Sequence, residues 1–217
     1  MNARPSLRFA PLLGALFVVL TVIGFVVAGD TPDVDGTPTQ IRADFDDEAA
    51  HQIGAYLVVL GAVALLFFAG HWRGLLRLLN PRGRMANVAL VGATVAATGF
   101  LVAAVIHSAL TDAAQKETVG DAALQALNAL DNWSFYPFAI GIAVFMLSSG
   151  IALVGSRPFF PAWVGWAAVV IGALILVPFV GFIAFLAAAA WILAVSLMLF
   201  ARWDAVRGLG DAHVQGI

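Results

Sequence analysis

Two histidines and a few carboxylates are the side chains of this sequence that bring chemistry within reach of apolar segments. The stretch "DFDDEAAHQIGAYLVVL", Asp44 to Leu60, sets Asp47, Glu48 and His51 against the start of one apolar run. His107 closes another run, and Asp131 follows in the next polar stretch. Imidazole nitrogen and carboxylate oxygen suit a divalent cation such as zinc, which takes three or four such ligands in tetrahedral geometry. The same groups serve a haem or a proton- or solute-linked site, and histidines at interfacial depth also act as hydrogen-bonded structural residues. His51, His107, Asp131, Glu48 and Asp47 are therefore the candidate ligand-binding set. No HxxxH or HxxE pattern pairs His51 with a residue further along its own helix, so any such site is assembled from different helices. No catalytic residue is assigned, the metal is left open, and no cofactor is expected.

The elements that hold these groups follow from composition. The chain is 62% hydrophobic and only 11% charged, with mean hydropathy +0.96, whereas soluble domains run nearer half apolar and a quarter charged. Such a chain belongs in a bilayer. Crossing roughly 30 Å of hydrocarbon at about 1.5 Å per residue takes about 20 apolar residues. Spans are expected at 9–29, 52–70, 85–106 and 135–154. The run from Phe159 to Ala201 has no charge and is about twice a bilayer thickness, so it divides into spans at 162–178 and 181–201 around Pro178 and Gly181. The expected fold is all-α, a single polytopic domain of six transmembrane helices with outer loops at 30–51 and 107–134.

Charge orders the two faces. Arg4, Arg8, Arg73, Arg77, Arg82, Arg84, Arg157, Arg202 and Arg207 fall on one side, leaving Arg42 and Lys116 on the other. The positive-inside rule makes the arginine side cytoplasmic and puts both termini inside a plasma membrane. Asp204 and Asp211 share that side, and the other acids lie outside. Val26-Val27-Ala28 offers a cleavage boundary that would leave five spans, but the first apolar run exceeds the usual signal-peptide core of about 7–15 residues.

In lipid, apolar side chains gain little by facing each other, so helices approach through small residues. Gly92, Ala96, Gly99 and Ala103 mark one face of the third span, and the next step along it is His107. Ala55, Ala62 and Ala69 mark a face of the second span, and stepping back four residues from Ala55 reaches His51. Both histidines are thus expected at the outer ends of faces buried between helices, where they can meet. In the first outer loop Thr37-Pro38-Thr39-Gln40 reads as a capping box. It starts a helix with Ile41, Phe45 and Ala49 on one face, able to continue directly into the second span, with Asp44, Asp46, Asp47 and Glu48 as a solvated collar. In the second outer loop Ala123, Ala126, Leu127 and Leu130 form an apolar stripe opposite Asp121, Gln125, Asn128 and Asn132, a short amphipathic helix. Thr94, Thr98, Ser148, Ser149 and Ser196 are expected as packing residues, and Trp72, Trp163 and Trp203 as an aromatic belt at the cytoplasmic interface.

Several activities are removed. No acid or base stands in the middle of a span, where pumps, voltage sensors and most ion-coupled carriers place one. The lone lysine, Lys116, lies in an outer loop, which excludes a retinal Schiff base, and the absence of cysteine excludes thiolate sites and disulfides. No phosphate-binding loop, zinc-protease or nucleophile-elbow motif occurs, and nucleic acid is not an expected partner. The segments "APLLGALFVVLTVIGFVVAGDTPD" and "PAWVGWAAVVIGALILVPFVGFIAFLAAAAWILAVSLML", with the acidic helical loop that enters the second span, resemble the small six-helix integral membrane proteins of unknown function frequent in actinobacteria. The resemblance covers nearly the whole chain and implies the fold but no active residues. The expected function is that of a non-enzymatic helical bundle in the lipid bilayer, whose outer polar mouth meets a protein partner, a second copy, a lipid or a small ligand. A small-solute or metal permease using His51, His107 and Asp131 is the alternative, and a membrane-embedded redox or lipid-modifying enzyme the third reading.

Overall fold

The computed structural model describes residues 8–80, 83–154 and 159–204, so Arg4, Arg82, Arg157, Arg207 and Asp211 lie outside the described residues. Among the described residues the chain is helical, with no strand. The helices are α1 (Leu12–Ala28), α2 (Pro38–Asp44), α3 (Glu48–Leu79), α4 (Met85–Ala114), α5 (Asp121–Trp133), α6 (Phe135–Val154), α7 (Ala162–Ile175) and α8 (Gly181–Ala201). By length and composition α3, α4, the near-continuous α5 and α6, and α8 can each cross a membrane; α1 and α7 are shorter apolar helices.

Six helices close into a ring. α1 packs on α3, α3 on α4, α4 on α6, α6 on α7 and α7 on α8, and α8 returns to α1. Small residues set the closest approaches. The Gly92, Ala96, Gly99 and Ala103 face of α4 lies on α6, where a Cβ added at Gly99 would come within 2.5 Å of the Phe138 backbone nitrogen. The interior is filled by aromatic rings: Phe100 stacks on Phe138 at 4.4 Å, and Trp72 meets Trp191 edge-on at 5.9 Å. Arg42 apart, the described arginines lie at one end of the bundle. There Arg8 lies over the ring of Phe200, Arg73 donates to Asn87, and Arg202 reaches the Phe159 carbonyl. The opposite, acidic end is crossed by α2 and α5, which pack on each other while α5 also packs on α4.

Five expectations are corrected at this level. The helix from the capping box does not run straight into α3: Thr37 caps α2 with Gln40 as expected, but the chain breaks at Phe45 and Asp47 caps α3 afresh by accepting from the Ala50 amide at 3.1 Å. α3 and α4 also run past their apolar segments, α3 from Glu48 to Leu79 and α4 from Met85 to Ala114, so His107 sits inside a continuous helix rather than at the mouth of a loop. In α5 the inward face is Leu124, Asn128 and Asp131, while Ala123, Ala126 and Leu130 are exposed. The polar side chains turn inward because backbone carbonyls and a histidine await them there. Trp72, expected in an interfacial belt, is fully buried because its indole donates to Ser149 Oγ on α6 at 2.9 Å. The break in the last apolar run falls at 176–180, so α7 ends at Ile175, and Phe179 takes φ 69° in the turn.

Candidate functional site

The acidic end brings three of the five candidate residues into one line of hydrogen bonds. His51 enters from the first turn of α3, His107 from α4 and Asp131 from α5. His51 Nε2 lies 3.0 Å from the Asp44 carbonyl, His51 Nδ1 lies 3.1 Å from His107 Nε2, and His107 Nδ1 lies 3.1 Å from Asp131 Oδ2. Thr31 completes the line by donating Oγ1–H to the same carboxylate oxygen at 2.7 Å. Asp47 and Glu48 are not part of it. Asp47 is occupied as the cap of α3, and Glu48 is exposed.

Local sequence explains each position. Because α2 stops at Asp44, that carbonyl is released from the helical ladder and faces His51. Phe45, in the break, is fully buried and stacks on the His51 ring at 4.3 Å, shielding the pair from the side of α2. Beneath it Ile41, Phe45, Leu110 and Leu124 form a small separate core. α5 is held in rotation by Asn128 and Asn132, whose amides donate to the Asp33 and Pro32 carbonyls at 2.9 Å each. Arg42 binds the α4–α5 connection through the carbonyls of Ala114, Lys116 and Val119. Thr31, Phe45 and Arg42 were not legible as site residues. Asn128, Asp131 and Asn132 share one face of a helix, and that i, i+3, i+4 spacing was the available signal.

A count of protons defines the state of this line. Both of its ends, the Asp44 carbonyl and the Asp131 carboxylate, are acceptors. The three contacts between them therefore need three hydrogens, and two neutral imidazoles carry only two N–H groups. The line is complete when one further proton is shared, either as an imidazolium facing the Asp131 carboxylate or as a protonated Asp131 beside two neutral rings. In both forms the net charge of the cluster is zero, which suits its burial: His51 is 5% exposed and the Asp131 side chain 7%. Without that proton one contact would set two lone pairs face to face, at a cost of about 1–3 kcal/mol. His51 stands just ahead of the apolar segment 52–70, and burial, the largest influence on it, holds its imidazolium form down from the ordinary histidine range. The neighbouring His107 acts the same way, against the Asp44 carbonyl and the Asp47 and Asp131 carboxylates. The Asp131 carboxylate places the counter-charge of the shared proton at the His107 end of the line.

These donors lie along a line and do not surround a point. Asp131 occupies the nitrogen of His107 that faces away from His51, so the three side chains cannot ligate one ion as placed, and among the described residues no group of three His, Asp or Glu is set to hold a metal.

The line separates two cavities. On one side a cleft of about 390 Å³ is lined by Asp30, Thr31, Asp33, Asp44 and His51. On the other, a chamber of about 470 Å³ runs down between α1, α3, α4, α6 and α8. Val58, Ala103, Phe138 and Phe185 supply apolar wall, and Thr31, His107 and Asp131 close the polar end. Comparison of the chain with protein-family models, with curated proteins and with solved structures gave no match.

Proposed function

We propose that the chain is a six-span plasma-membrane protein, both termini cytoplasmic, which admits a hydrophobic small molecule or lipid with a polar head from the outer leaflet into the chamber. The chamber itself carries this reading. It is apolar along its length and polar at one end, as ligand sites are, and its rim between α1 and α8 includes Val22, Val26, Phe182 and Leu186, exposed at 46%, 76%, 59% and 50%. A guest can enter there sideways, keeping its tail in hydrocarbon while its head reaches Asp131. Two observations support the six-span reading. Five of the six described arginines, all but Arg42, gather at one end, the cytoplasmic one by the positive-inside rule, and α1 and α7 are held in the ring between longer helices. At about 21 Å and 26 Å by helical rise, α7 and α1 are shorter than the hydrocarbon layer, a mismatch that local thinning accommodates.

Photolabelling tests the reading. An alkyl probe carrying a diazirine, added to the protein in nanodiscs, is expected to label Val58, Ala103 or Phe138, and Ala103→Trp to block that labelling. Labels confined to outward-facing residues away from the chamber such as Val105 and Ile183, unchanged by Ala103→Trp, would exclude a chamber guest.

A further inference from the structure

Given that the chamber holds a hydrophobic guest, we infer that this guest is a cation, such as a hydrophobic amine, taken up in exchange for the proton shared by His51, His107 and Asp131. The charge around the site points this way. The chamber lining includes the carboxylates of Asp30 and Asp131, and neither cavity is lined by a lysine or an arginine. From the neighbouring elements the site meets Asp33 after α1, Asp44 of α2 and Asp47 before α3, all acids. The two nearby bases are turned to other work: Arg42 to the carbonyls of the α4–α5 connection, and Lys116 to Asp112. The shared proton is thus the positive charge that balances the buried Asp131.

The exchange balances. A monovalent cation settling against Asp131 replaces the proton as its counter-charge. His51 then passes its Nε2 proton to water in the 390 Å³ cleft while its Nδ1 takes the Nε2 proton of His107, across the 3.1 Å contact. His107 keeps its Nδ1–H on Asp131 and becomes neutral. One positive charge has entered and one has left, so the buried cluster stays neutral. His51 Nε2 is left bare opposite the Asp44 carbonyl, where a water from the cleft donates to both. A cation with its apolar groups along Phe138 and Phe185 also keeps its hydrophobic surface in the chamber.

Tetraphenylphosphonium and tetraphenylborate, alike in shape and opposite in charge, test this on the full-length detergent-purified protein. Calorimetry in two buffers of different ionisation enthalpy reports protons released. The expected result is saturable binding of tetraphenylphosphonium with about one proton released, an affinity that falls about tenfold per unit as pH drops, and binding of tetraphenylborate at least tenfold weaker. Asp131→Asn, which keeps an oxygen acceptor for Thr31 and His107, is expected to abolish the proton release. Equal binding of both ions without proton release would overturn the exchange and leave the chamber reading intact. Failure of both ions to bind, with Ala103→Trp indistinguishable from wild type, would overturn both.

Discussion

Asp131→Leu is expected to lower the midpoint of thermal unfolding by about 6–20 °C. The substitution takes the acceptor from Thr31 Oγ1 and His107 Nδ1 together and leaves a shared proton without its counter-charge in a buried setting. Breaking a buried charged pair on one side costs about 3–5 kcal/mol, and for a chain of this size each kcal/mol moves the midpoint by about 2–4 °C. Asp131→Asn keeps one oxygen for both donors and is expected to lose less than half as much. His107→Leu combined with Asp131→Leu is expected to cost little more than either alone, because the two act as one unit. Thermal unfolding in detergent, followed by tryptophan fluorescence, reads all four proteins. A wild-type midpoint in Asp131→Leu would show that the line contributes nothing to the fold.

Acidification supplies the second large effect. Burial disfavours the imidazolium form of His51, so its proton affinity in the folded chain lies below the ordinary value of 6.5. A group depressed in this sense stabilises the fold above that value and withdraws its contribution as pH falls below it. A fourth proton on the line would also set N–H against N–H across the 3.1 Å between the rings. Thermal stability is therefore expected to fall between pH 6.5 and pH 5, and His51→Gln to flatten that fall. The same pH dependence in His51→Gln as in wild type would remove His51 from the explanation.

Much of this arrangement is legible in the sequence. Small residues at helical spacing marked the α4 face that lies on α6, and the steps that lead from Ala103 to His107 and from Ala55 to His51 put both rings on inward faces. Thr37 and Gln40 announced α2, since a capping box is a local exchange of hydrogen bonds that needs nothing from the rest of the chain. Long-range exchange was not readable. Apolar periodicity alone would have turned Asn128 and Asp131 of α5 to water, and what turns them inward is the chain around Thr31–Asp33, far away in sequence. Trp72 misled for the same reason, because its partner, Ser149, is on another helix. The break at Phe45 depended on competition between a continuous helix and a fresh cap by Asp47, and the burial of Phe45 beside both histidines favoured the break.

The most direct test is to count the protons on the line. Full-length protein labelled with ¹⁵N-histidine and ¹³C-aspartate, compared at pH 7 with His51→Gln and Asp131→Asn to assign the signals, reports the state of each ring and of the Asp131 carboxyl. The expected spectrum contains either one imidazolium from the His51–His107 pair beside an ionised Asp131, or two neutral rings beside a protonated Asp131. Two neutral rings beside an ionised Asp131 would contradict the shared proton, and with it the exchange built upon it.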